Sequence, residues 1–191
     1  MKKLSVIILL ILVAGYSFGQ SSYYPMEKGK SYTYAYGKEL YESMNVDVSK
    51  LKMTVSFLNE TKAINGKEYI VSQTSSGGMT PDFTSYARVK SDGTIVGFEE
   101  GETEEFTFLT KSPKVGDSWS RTKDGAKSTS KVVDLSGAVK TPTKSYADCL
   151  VLESTENGAT TRAYFKRGVG MVAVTVLMAG EEKLFIYLLE Q

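Results

Sequence analysis

The sequence predicts an all-β protein: a single domain of antiparallel meander strands forming a strongly curved sheet, either a partly open barrel or a sandwich. Three observations carry this. Apolar and polar residues alternate with a period of two in segment after segment. Turn dipeptides that tolerate positive φ separate those segments at short intervals. No long stretch shows a helical period.

The elements follow in chain order. Residues 31–37 alternate Tyr32, Tyr34 and Tyr36 with small residues. Residues 51–58 alternate Leu51, Met53, Val55 and Phe57 with Lys52, Thr54 and Ser56. Both are the pattern of a half-buried strand. The intervening 39–49 is read as a short helix or an irregular loop. Further strands are expected over 68–74, 84–90, 94–99, 105–110, 117–122, 128–135, 148–154, 161–167, 171–177 and 183–190. Asn65-Gly66, Asp92-Gly93, Asp124-Gly125 and Asn157-Gly158 supply hairpin turns, and Ala179-Gly180 closes the last one. Strands of the first half alternate cleanly. By contrast, 149–152 and 184–189 are apolar on both faces and need cover on both sides, from the rest of the domain or from an apolar ligand or partner.

The start of the chain supplies an address. Lys2 and Lys3 precede an uncharged apolar run over 4–14, and Ser17-Phe18-Gly19 is a small-x-small cleavage site. Residues 1–19 therefore read as a signal peptide and 20–191 as a single β-rich domain, exported to the periplasm or beyond. The apolar run is shorter than the ~20 residues needed to span a bilayer, so no membrane span is expected after cleavage. No cysteine directly follows it, which disfavours a lipid anchor.

Composition excludes several chemistries. The whole chain carries 23 basic and 22 acidic residues. Without Lys2 and Lys3 the net charge is about −1, which gives no electrostatic reason for a nucleic-acid partner. Cys149 is the only cysteine, so no disulfide forms within the chain, and its apolar neighbours predict a buried, inert thiol. Histidine is absent. That removes Ser-His-Asp and Cys-His catalysis, the common zinc enzymes and the usual near-neutral general base. No cofactor, metal site or catalytic residue is expected.

Short motifs give little. Ser128-Thr129-Ser130-Lys131 matches Ser-x-x-Lys, but on a strand Ser128 and Lys131 point to opposite faces. Gly29-Lys30-Ser31 lacks the first glycine of a phosphate loop, position 24 being tyrosine. Gly168-Val169-Gly170 reads as a tight turn between strands rather than a dinucleotide fingerprint. Glu99, Glu100, Glu102, Glu104 and Glu105 crowd one hairpin tip, where solvation is the ordinary outcome. Trp119, the sole tryptophan, is read as a core anchor. Tyr32, Tyr34 and Tyr36 share one strand face, with Tyr23 and Tyr24 just before them; such a stripe is either a core ladder or a ligand-binding surface.

Several blocks resemble a family, the TapB-like secreted domains of unknown function from bacteria of the Bacteroidetes type. They are Tyr24-Pro25 with Gly29 and Tyr32-Thr33-Tyr34; Pro113 with Val115-Gly116-Asp117-Ser118-Trp119; Thr141-Pro142 with Tyr146, Asp148-Cys149 and Val151; and Tyr164-Phe165 with Gly168-Val169-Gly170-Met171-Val172. The resemblance implies a curved antiparallel β fold outside the cytoplasm and carries over no catalytic residue.

The functional expectation is an exported, non-catalytic binding module of the cell envelope. It would hold an apolar small molecule, a peptide or an envelope protein at Tyr32, Tyr34 and Tyr36. One alternative is a carboxylate-based hydrolase acting on carbohydrate or peptide, which needs two acids facing each other across a cleft. The other is a structural surface-interaction protein, which would expose a long strand edge.

Overall fold

A computed structural model describes residues 23–42, 47–78, 80–102, 104–123 and 125–190. Among them, twelve strands form one antiparallel sheet in the order β6-β5-β4-β3-β2-β1-β12-β11-β10-β9-β8-β7. The strands are β1 (Ser31–Tyr36), β2 (Lys52–Ile64), β3 (Lys67–Ser75), β4 (Phe83–Val89), β5 (Ile95–Glu99), β6 (Phe106–Leu109), β7 (Ser118–Lys123), β8 (Ala126–Lys140), β9 (Ser145–Glu156), β10 (Ala159–Lys166), β11 (Gly170–Met178) and β12 (Glu181–Glu190). The sheet curls into a nearly closed barrel. One short helix, α1 (Lys38–Glu42), follows β1. It resolves the helix-or-loop choice for its own residues, and 43–46 lie outside the described ones.

The chain starts mid-sheet, meanders out to β6, crosses to β7 and meanders back to β12. Every neighbouring pair but β1·β12 is therefore a sequence neighbour. The turns use the expected dipeptides: Asn65-Gly66, Asn157-Gly158 and Ala179-Gly180 all have positive φ at both residues. At Asp92-Gly93 the Asp92 carboxylate accepts the Thr94 N–H at 2.9 Å. Asp124 lies outside the described residues.

Alternation decides what faces inward. Tyr34 stands opposite Met53 on β2 and Leu188 on β12, and Tyr32 stands opposite Val55, so these side chains share the interior face. The same face continues round through Ile70, Ala87 and Ile95 to Leu150, Leu152 and Phe165. The opposite face has its own cover. Tyr69, Val71, Tyr86 and Phe98 form a separate buried cluster, against which Leu58 and Ile64 of the far part of β2 pack. A register shift between Phe57 and Thr61 marks where β2 changes course. In the second half, Cys149, Leu150, Val151 and Leu152 are all buried, as strands apolar on both faces require. Val139 and Tyr146 of the bulged β8–β9 hairpin belong to the same cluster as Cys149 and Val151.

Candidate functional site

The strands β6 and β7 are the two edges of the sheet and do not pair. Side chains close the gap between them. Arg121 on β7 donates from Nη1 to Glu99 Oε1 at 3.0 Å and from Nη2 to Glu102 Oε1 at 2.5 Å. Lys123 Nζ donates to Glu99 Oε2 at 2.5 Å. The Arg121 guanidinium also lies 3.8 Å above the centroid of the Phe106 ring on β6. The Glu99 N–H donates to Glu102 Oε2 at 2.8 Å, which fixes the acidic turn beneath the arginine. Burial works against ionisation of Glu102, but the Arg121 and Glu99 hydrogen bonds overcome it and leave the carboxyl below its usual range.

The acidic tip is thus built into the seam. Glu105, at its far end, accepts from Arg88 Nε at 2.5 Å, from Arg88 Nη2 at 2.9 Å and from the Tyr69 hydroxyl at 2.6 Å. The Arg88 bonds lead in holding its carboxyl down to about 2. Solvation, the ordinary expectation for a glutamate-rich tip, holds for the exposed Glu100 and Glu104 but not for Glu99, Glu102 and Glu105, because Arg88 and Arg121 are aimed at those three from β4 and β7.

Inside the seam lies a cavity of about 340 Å³ lined by Phe106, Phe108, Trp119, Arg121 and Leu152 with Ser128, Ser130 and Ser154. Its lining mixes aromatic rings with hydroxyls and includes the Glu156 carboxylate. Strand alternation produces it: Trp119 and Arg121 share a face of β7, paired with Ser130 and Ser128 of β8. Arg121 Nε is buried without a hydrogen-bond partner. Outside the seam a second cleft of about 620 Å³ runs between Glu100–Glu105 and Ser120–Lys123. Trp119 itself is half-buried and packs against the Leu109–Leu150–Phe165 cluster.

Tyr32, Tyr34 and Tyr36 lie together on the interior face and are 3%, 3% and 6% exposed. The space beside Tyr32 and Tyr34 is about 80 Å³. A pocket for a drug-sized ligand is roughly 300–1,000 Å³. Tyr24 and Pro25 line the smaller space with Tyr32 and Tyr34. Burial pushes the Tyr24 hydroxyl up to about 12 and that of Tyr34 higher still. Tyr36 donates to the Ser76 carbonyl at 2.8 Å.

The other motifs resolve structurally. Cys149 is fully buried, and burial raises its thiol. Gly168 and Val169 lie in the β10–β11 turn, and Gly170 opens β11. Ser130 pairs with Ser154 at 2.9 Å. No cluster of metal-ligating residues occurs among the described residues, and no helix there is long and apolar enough to cross a membrane. The sequence reading missed Arg121, Phe106 and Phe108. A signal was present: Trp119, Arg121 and Lys123 alternate on one strand, which places two cations on a tryptophan's face with an acidic segment elsewhere to receive them.

No family model matches the chain, and no curated protein matches it. A solved structure with a similar layout is that of a candidate exported protein with a YmcC-like fold from Bacteroides fragilis. Its TM-score is 0.49 at 10% identity, over 87% of this chain and 96% of that one.

Proposed function

We propose that the chain is an exported, non-catalytic binding module of the cell envelope that holds a small amphipathic molecule in the cavity inside the seam. The observation that carries this is the cavity's mixed lining, in which Phe106, Phe108, Trp119 and Leu152 adjoin Ser128, Ser130 and Ser154. Rings and Leu152 suit an apolar body; the serine hydroxyls suit a polar group on the ligand. The absence of a β6–β7 ladder supports entry there, since opening breaks side-chain contacts only.

The state of the carboxylates supports the non-catalytic part. A hydrolase of this composition needs one acid kept protonated, with its pKa raised. Among the described residues, every carboxylate with a resolved shift moves down: Asp47, Asp92, Glu102, Glu105, Asp134 and Glu182. Glu182 is typical. Burial opposes its charge, but the Tyr164 hydroxyl at 2.8 Å and Arg162 hold it ionised.

Trp119 is the only tryptophan, so its emission reports on the cavity directly. Titration with a medium-chain fatty acid is expected to shift that emission saturably in the wild type. A Ser130→Phe variant, which fills the cavity, should not respond. Equal responses from both proteins, or none from either, would remove this reading.

A further inference from the structure

Residues 23–26 occupy the groove over the tyrosine stripe in the manner of a bound peptide. They join no strand of the sheet. The Tyr24 ring lies among Phe57 at 6.4 Å, Phe108 at 5.8 Å and Phe165 at 6.2 Å, one ring each from β2, β6 and β10. The Tyr32 hydroxyl donates to the Pro25 carbonyl at 3.4 Å. The Arg167 guanidinium sits 4.6 Å over the Tyr23 ring and donates to its hydroxyl at 3.3 Å. Gly170 makes room for the proline: a Cβ there would stand 3.2 Å from Pro25 Cδ. Met26 is buried at 4% exposure.

Each feature has the form of ligand recognition. A main-chain carbonyl is read by a side-chain hydroxyl, a pyrrolidine ring fills a notch left by glycine, and aromatic rings enclose a tyrosine. Proline also restricts Tyr24 to extended backbone, which lowers the entropy lost on docking. The segment lies three residues beyond Gln20, the expected start of the mature chain, and continues into the exposed turn at Glu27–Gly29, where Lys30 N–H donates to the Glu27 carbonyl at 3.1 Å. It can therefore leave without breaking a ladder.

We propose that the groove formed by Tyr32, Phe57, Phe108, Phe165 and Gly170 is a binding site for extended Tyr-Pro peptides, filled in cis by residues 23–26. This site adjoins the cavity inside the seam through Phe108, but the contacts of residues 23–26 with Tyr32, Phe57, Phe165 and Gly170 carry it independently. The test is a chain starting at Glu27, titrated with the free peptide of residues 20–26. Saturable binding that raises Tm and shifts Trp119 emission is expected. A peptide carrying Tyr24→Ala and Pro25→Ala should do neither. A folded truncated chain indifferent to the natural peptide, or equally responsive to both, overturns the proposal.

If truncation abolishes folding, the full chain decides. A Met26→Cys variant places a second buried thiol in the segment, with Cys149 as internal reference. Local release predicts that the new thiol is labelled at least about tenfold faster than Cys149 in native buffer. Equal labelling rates would mean that the segment leaves only on global unfolding, and the proposal fails.

Discussion

At the joint between β1 and β12, the main chain closes the barrel: Thr33, Tyr34, Ala35 and Tyr36 pair with Glu190, Leu188, Tyr187 and Ile186. At the seam between β6 and β7, on the far side, the main chain contributes no pairing. Arg121, Lys123, Glu99 and Glu102 close it instead. A ladder is cooperative and fixed in register, because a one-residue slip would turn Tyr34 outward. A side-chain clasp has no register, is partly wetted and answers to charge and salt. One barrel thus has a permanent joint and an openable one. The cavity lined by Trp119 and Phe108 lies beside the openable one.

Substitutions at the two joints should differ in cost, as a ladder differs from a clasp. The largest effect is expected from Leu188→Ala at the ladder. Leu188 is 4% exposed and faces Tyr34, and such truncations cost about 2–5 kcal/mol, read as a lower urea midpoint. Next comes Arg121→Met at the seam, which leaves Glu102 without its guanidinium partner and Glu99 with Lys123 alone. Both are partly solvated, so the loss should be about 1–2 kcal/mol, with faster proteolysis in the 110–117 loop. If this variant were as unstable as Leu188→Ala, the two joints would not differ in kind.

The third prediction concerns acid. The folded-state pKa of Glu105 is depressed from 4.5 to about 2. Its contribution to stability is therefore present above about pH 4.5 and is lost as pH falls toward 2. Glu105→Gln should flatten that limb of a Tm-against-pH curve, and an unchanged limb would dissociate Glu105 from acid unfolding. The smallest effect is expected from Lys123→Ala. With 44% of its side chain exposed, the pair should be worth at most about 0.5 kcal/mol, within reach of careful urea melts.

Much of the fold was legible in the sequence. The twelve expected strand segments, some alternating and some apolar on both faces, correspond to β1–β12, and the Asn-Gly turns lie between the strands they were expected to join. Strand ends were less legible. Residues 128–135 and 148–154 underestimate β8 and β9, because the bulges around Asp134 and Gly137 interrupt the alternation that would have extended them. The site was harder still. Tyr32, Tyr34 and Tyr36 do share a face, as alternation requires, but nothing local says that Tyr24 and Pro25 lie against the first two. The Arg121 clasp depends on the curl of the whole sheet, which brings the acidic tip after β5 against β7. Alternation within one strand cannot express that distance.

The β1–β12 ladder has a consequence for the order of assembly. Ten of the eleven strand pairings join sequence neighbours and can form locally as hairpins. The eleventh waits for the last strand of the chain. Its loop-closure entropy falls on a single late event, which makes that pairing the natural rate-limiting step. Until β12 arrives, β1 presents an unsatisfied edge carrying three buried-to-be tyrosines, so the emerging chain is most prone to misassociation at the edge that the finished barrel hides best.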